Sequence, residues 1–222
     1  MNQNLIGLIV SYIYVFSIIG ISEGLRKWRG YSVDFTRKFV HIGVGMWAFG
    51  TVLLFENKVF AIIPPLSFVL INYISYRRET FKAMETGERG QLGTVYFPIA
   101  FSAAIWIFWD NPVILVACLM PMTWGDAFAA VIGQRYGQRE YSVFGSTRTL
   151  EGSLTMFLVS LIATAIPLLM FSMGRITPGE ALLVSAITAL GATAAEAVSP
   201  HGTDNLTVPA VSALLLALLL LV

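Results

Sequence analysis

The chain has 222 residues, 56% of them hydrophobic and only 12% charged, with a formal net charge of +1. Soluble domains carry about 25% charged residues, so this composition excludes an ordinary soluble fold and points to a membrane protein. The near-balanced charge gives no ground for a nucleic-acid partner, and none is expected; the single cysteine, Cys118, excludes an intrachain disulfide framework.

A membrane-crossing helix needs about 20 mainly apolar residues. Eight runs approach that length, at about 5–22, 39–56, 59–76, 94–109, 112–133, 152–172, 180–197 and 206–222. The N-terminus lacks the basic segment and cleavage site of a signal peptide, so the first run is expected to be retained. No charge-rich linker divides the runs. The expectation is an all-α polytopic membrane protein: a single domain over 1–222, built as a bundle of about eight transmembrane helices.

Of the 14 Lys and Arg residues, 12 fall in the loops after the first, third and fifth runs; Lys58 and Arg175 are the exceptions. Positive loops stay inside. Both termini are therefore expected outside, with the active face cytoplasmic and the plasma (inner) membrane as location. Runs two, four, six and eight begin at that face, so their positive dipole ends point to where a polyanion would bind.

Four polar stretches interrupt this pattern. In SVDFTRKFVHIGVG, Asp34 reads as an N-cap, and helical spacing brings Arg37, Lys38 and His41 to one side. Arg37 and Lys38 suit phosphate oxygens, the first as a fork and the second as a point charge. The rival reading is interfacial anchors. The loop YRRETFKAMETGERGQLGTVYFP reads as a solvated face, although Gly87, Gly90 and Gly93 allow backbone amides near an anion.

In PMTWGDAFAAVIGQRYG, Gly125, Ala129 and Gly133 form a ridge of small residues for close helix contact. Asp126 lies in the same apolar run, where an acid needs a cation or a strong donor. Mg²⁺ is one such cation, since it prefers oxygen ligands and keeps waters and substrate phosphates; a buried Arg is another. In FGSTRTLEGSLTMF, Thr149 reads as an N-cap with Glu151 in the first turn. There Gly145, Ser146, Thr147 and Arg148 offer donors to phosphate, and Glu151 either joins a metal shell or simply complements the dipole. In AAEAVSPHGTDNLTVP, Glu196 closes one apolar run; Asp204, Asn205 or Thr207 can cap the next. His201 reads as solvated.

Taken in order, RKFVHIGVG, GDAFAAVIGQRYG, TRTLEGS and EAVSPHGTDNLTVP resemble the polytopic dolichol kinase and phytol kinase family, over roughly residues 35 to 210. That family includes a CTP-dependent diacylglycerol kinase and is distantly similar to phosphatidate cytidylyltransferases. The resemblance implies a membrane enzyme that transfers the γ-phosphate of a nucleoside triphosphate, usually CTP, to the hydroxyl of a membrane-embedded lipid alcohol such as phytol or a polyprenol. Carried over by position, it implies Asp126, Glu196 and Asp204 as catalytic and metal-binding, with Glu151 assisting at Mg²⁺. Arg37, Lys38, His41, Arg148, Glu151 and Asn205 are implied at the nucleotide and its phosphates. One departure stands out: Arg148 occupies the place where the family pattern has Lys. The alternatives are a CTP-dependent diacylglycerol kinase or a phosphatidate cytidylyltransferase and, in another class, a small-anion transporter.

Overall fold

The computed structural model describes residues 2–78, 80–84, 92–144, 146–200 and 202–221. All eight apolar runs are helical. The first is α1 (Gln3–Arg29); α2 (Val33–Gly45) and α3 (Trp47–Leu54) share the second; α4 (Lys58–Ala61) and α5 (Ile63–Arg78) share the third; α6 (Gly93–Phe108) is the fourth. The fifth holds α7 (Pro112–Ala117), a π-helical turn (Pro121–Asp126) and α8 (Ala127–Tyr136). The last three are α9 (Leu150–Phe171), α10 (Pro178–Val198) and α11 (Asp204–Leu220). Five stretches are long and apolar enough to cross a membrane: Gln3–Arg29, Lys58–Arg78, Pro112–Tyr136, Leu150–Phe171 and Pro178–Val198. The helices Gly93–Phe108 and Asp204–Leu220 are apolar but shorter.

Burial follows the logic of lipid, not of water. Large apolar side chains face outward, among them Ile13, Leu70, Ile107 and Leu190, each more than 60% exposed. Many small hydroxyl residues are buried. Many bond back to their own helix: Ser11 Oγ donates to Gly7 O (2.7 Å), Ser102 Oγ to Pro98 O (2.7 Å) and Thr188 Oγ1 to Val184 O (2.8 Å). Lipid removes the drive to hide every leucine, so small residues and satisfied hydroxyls can take much of the packing between helices. The chain is an all-α membrane protein.

It folds as two compact units, Met1–Ile107 and Phe108–Val222. In the first, Val15, Ile19, Val40, Phe68 and Met84 form the buried centre. Asn4 Oδ1 accepts from Glu56 N (3.0 Å) and Asn57 N (3.1 Å), so the loop before α4 lies beside the start of α1. At the other end Ser22 Oγ donates to Thr36 O (3.1 Å), and Thr36 Oγ1 donates to Ala83 O (3.0 Å). Glu23 Oε1 accepts from Ala83 N (2.7 Å). The end of α1, the start of α2 and the segment after α5 thus share one end of this unit.

The second unit is built around Pro112–Tyr136, the most buried of the five long stretches. Every side chain from Ile114 to Leu119 is fully buried, Cys118 included. The small-residue ridge does what its spacing predicts. A Cβ on Gly125 would collide with Ser160 Oγ of α9, and one on Gly133 would lie 2.9 Å from Thr149 Oγ1. Two features do not follow from the apolar pattern. One is the π-helical turn that ends at Asp126. The other is an antiparallel hairpin, β1 (Glu140–Val143) and β2 (Ser146–Thr149), in the loop after the fifth run.

Candidate active site

The hairpin positions Arg148. In β2, alternate residues share a face; accordingly Ser146 Oγ and Arg148 Nη2 both donate to Ser199 O, at 3.4 and 3.2 Å. Opposite Arg148 in the ladder stands Tyr141, whose hydroxyl lies 2.6 Å from Ser153 Oγ and pins the hairpin to α9. Held this way, Arg148 places Nε 2.6 Å from Glu196 Oε1 and Nη2 3.7 Å from Asp204 Oδ2. The Nε–H does not point along a hydrogen bond, so its contact with Glu196 is an ion pair.

These groups come from the end of α10, the start of α11 and the strand leading into α9. Side-chain exposure is 7% for Glu196, 14% for Asp204 and 29% for Arg148. Carboxylates so enclosed need a cation close by, and here both share one. Asp204 is not the cap of α11; Thr203 holds that position without a side-chain bond. Instead Asp204 Oδ1 accepts from Asn205 N (2.9 Å) and Asn205 Nδ2 (2.8 Å), which fixes the carboxylate while Nδ2 also reaches Gly202 O (3.2 Å).

Asp126 is 8% exposed and ends the π-helical turn within the same unit. Such turns leave the regular α-helical bonding pattern and often occur at functional sites. Glu151 has another task. Its Oε2 accepts from Gln138 N (3.1 Å) and Arg139 N (3.4 Å), tying the residues just before the hairpin to the start of α9. Thr149 caps α9 as its sequence predicts, accepting from Gly152 N at 3.1 Å. The set Asp126, Glu151, Glu196 and Asp204 is not gathered as one cage, since among the described residues no three His, Cys, Asp or Glu side chains form a metal-holding group. Glu196 and Asp204, however, already converge on one positive centre. Two hard oxygen donors suit a divalent ion that completes its shell with waters and phosphates. For Mg²⁺ held in that manner, the residues fit.

In the first unit, Arg37, Lys38 and His41 are half-buried on α2. Arg37 Nη2 lies 3.7 Å from Asp34 Oδ1, and the His41 ring meets Phe97 edge-on at 4.8 Å. Asp34 is not the N-cap. Ser32 is, with extended backbone and a hydroxyl accepting from Phe35 N (3.3 Å), which leaves Asp34 in the first turn. Gly87, Arg89, Gly90, Gly145 and His201 lie outside the described residues. Sequence reasoning passed over Ser199, Tyr141 and Ser153, which hold the hairpin. For Ser199 there was a signal: a hydroxyl between Glu196 and Pro200, in a segment already marked by its acids.

The chain is 30% identical to phytol kinase from a Synechocystis species over 204 residues, covering 91% of this chain and 86% of that protein. It belongs to the phytol kinase family. Other members include probable phytol kinase 1, chloroplastic, of Oryza sativa, 28% identical over 87% of this chain and 67% of that one. Farnesol kinase, chloroplastic, of Arabidopsis thaliana is 27% identical over 92% and 72%. No family model and no solved structure matches. Membership makes the chain a kinase, an enzyme that requires a phosphoryl donor.

Proposed function

We propose that the protein is a membrane kinase that transfers the γ-phosphate of CTP to the hydroxyl of an isoprenoid alcohol, phytol or a polyprenol, with Mg²⁺ as the metal. The observation that carries this reading, within a family of phytol and farnesol kinases, is the meeting of Glu196 and Asp204 on Arg148 where α9 and α11 begin. Helix starts favour phosphate, and a guanidinium matches its oxygens.

Phosphoryl transfer asks the protein mainly for positioning and charge neutralisation. Glu196 and Asp204 would hold Mg²⁺, which supplies positive charge to the donor's phosphate oxygens. Arg148 contacts the phosphates, and Asn205 keeps Asp204 in place. Arg37, Lys38 and His41 are proposed, within their own unit, as further phosphate-binding groups. The bond from the γ-phosphorus to its bridging oxygen breaks as the alcohol oxygen bonds to phosphorus. The hydroxyl proton passes to a carboxylate, Asp126 or Asp204, and CDP leaves. An isoprenoid tail lies between helices and needs no water-filled pocket. We place this end of the bundle at the cytoplasmic face of the plasma membrane, from the distribution of basic loops.

The test is purified protein with a panel of lipid alcohols and CTP labelled separately at the α and γ positions. A kinase passes γ label to phytol or polyprenol. Transfer of α label to a lipid phosphate would instead identify a cytidylyltransferase, and ion flux in proteoliposomes without nucleotide would identify a transporter. Parallel reactions with ATP and UTP test the choice of donor.

A further inference from the structure

Two enclosed acids close enough to share one guanidinium repel each other unless a cation sits between them. The chain supplies that cation itself. Arg148 meets Glu196 at 2.6 Å and Asp204 at 3.7 Å, and its Nη2 also bonds Ser199 O at 3.2 Å. Arginine does not lose its proton in proteins, so this neutralisation is permanent while the side chain stays in place. Guanidinium and metal would compete for the same oxygens, and two positive centres repel there as two acids would. An incoming ion must therefore displace Arg148, and phosphate is the partner best matched to receive a displaced guanidinium.

We infer that Arg148 is the resting counter-cation of the Glu196–Asp204 pair and yields its place to the divalent ion as the donor's phosphates draw it away. Resting on the kinase reading, this makes Arg148 a residue that couples metal and donor binding. Metal alone binds weakly; metal with phosphates binds well; by linkage each raises the affinity of the other. The hairpin suits such an exchange. The Tyr141–Ser153 contact and the Glu151 carboxylate hold it to α9 on their own, so Arg148 can leave the acids without releasing the strands.

The experiment is thermal unfolding of the purified full chain in detergent with MgCl₂ or MnCl₂ alone, supported by Mn²⁺ binding read from the loss of free-ion electron spin resonance. A ligand that binds the native state raises Tm. Wild type should gain little from metal alone and more when inorganic tripolyphosphate is added. Arg148→Gln should gain clearly from metal alone and bind Mn²⁺ about ten-fold tighter, the scale of removing one screened charge near the surface. Arg148→Lys keeps a cation there and should stay like wild type. Arg148→Gln combined with Glu196→Gln should lose the gain.

Should Arg148→Gln fold poorly, preparation in millimolar MgCl₂ should restore it, because metal replaces the missing charge. The inference is overturned if Arg148→Gln gains no more from metal than wild type, if Arg148→Lys gains as much, or if metal does not restore a poorly folding Arg148→Gln. Activity separates this from the kinase reading. A wild type that phosphorylates no alcohol, yet shows the metal gain in Arg148→Gln, removes the kinase reading and leaves the counter-cation in place.

Discussion

The two ends of α10 each carry a glutamate, and they are held by opposite means. At the start, Glu180 Oε2 accepts from Thr177 N and Thr177 Oγ1, both at 2.8 Å, while Thr177 Oγ1 accepts from Glu180 N at 3.3 Å. This is a capping box, in which the helix start satisfies its own acid. At the end, Glu196 is enclosed and faces Arg148, delivered by a hairpin from elsewhere in the chain. An acid that its own helix start satisfies needs no further explanation. One that the fold satisfies with a distant cation is where chemistry should be sought.

The sharpest way to break this contrast is to neutralise an enclosed acid. Glu196→Gln should lower kcat by about 100-fold or more, the scale of losing one electrostatic contact to a reacting group, measured as γ label reaching lipid. Asp126→Asn should likewise abolish turnover while membrane insertion and helical content persist; full activity would remove Asp126 from the reaction. Next comes Arg148→Lys, which keeps the charge and loses the fork. It should cost about ten-fold in kcat/KM, and an unchanged value would show that a lysine serves equally here.

Gly152→Ala probes the packing that supports the site. Its Cβ would lie 2.9 Å from Thr149 Oγ1 and 3.1 Å from Ala129 O, so stability should fall by about 1–3 kcal/mol, seen as a lower Tm. The smallest effect belongs to the self-satisfied end. Thr177→Ala should cost about 1 kcal/mol of stability and leave kcat within experimental error. A large loss of activity there would erase the distinction between the two ends.

Much of this was legible in advance. The eight helical runs follow from apolar length alone, and Thr149 follows from the preference of hydroxyl residues for helix starts. The small-residue ridge on Gly125 and Gly133 follows from a spacing of four. Asp34 misled because two cap-forming residues, Ser32 and Asp34, stand two apart; only backbone geometry shows that the chain turns into helix after Ser32. The hairpin was hidden because both strands are only four residues long: EYSV alternates too briefly to stand out, and STRT has no apolar residue to mark it. Regular helical spacing likewise says nothing of a π-helical turn.

By itself, the sequence determined that the protein lives in a membrane, where its helices run and which acids are costly to bury, since each depends on residue type and on neighbours along the chain. Tertiary structure decided which cation each acid meets. Arg148 precedes α9, while Glu196 ends α10 and Asp204 opens α11; only the return of one helix beside the next brings them together. That encounter separates Glu151, which ties the hairpin to a helix start, from Glu196 and Asp204, which share the charge of Arg148.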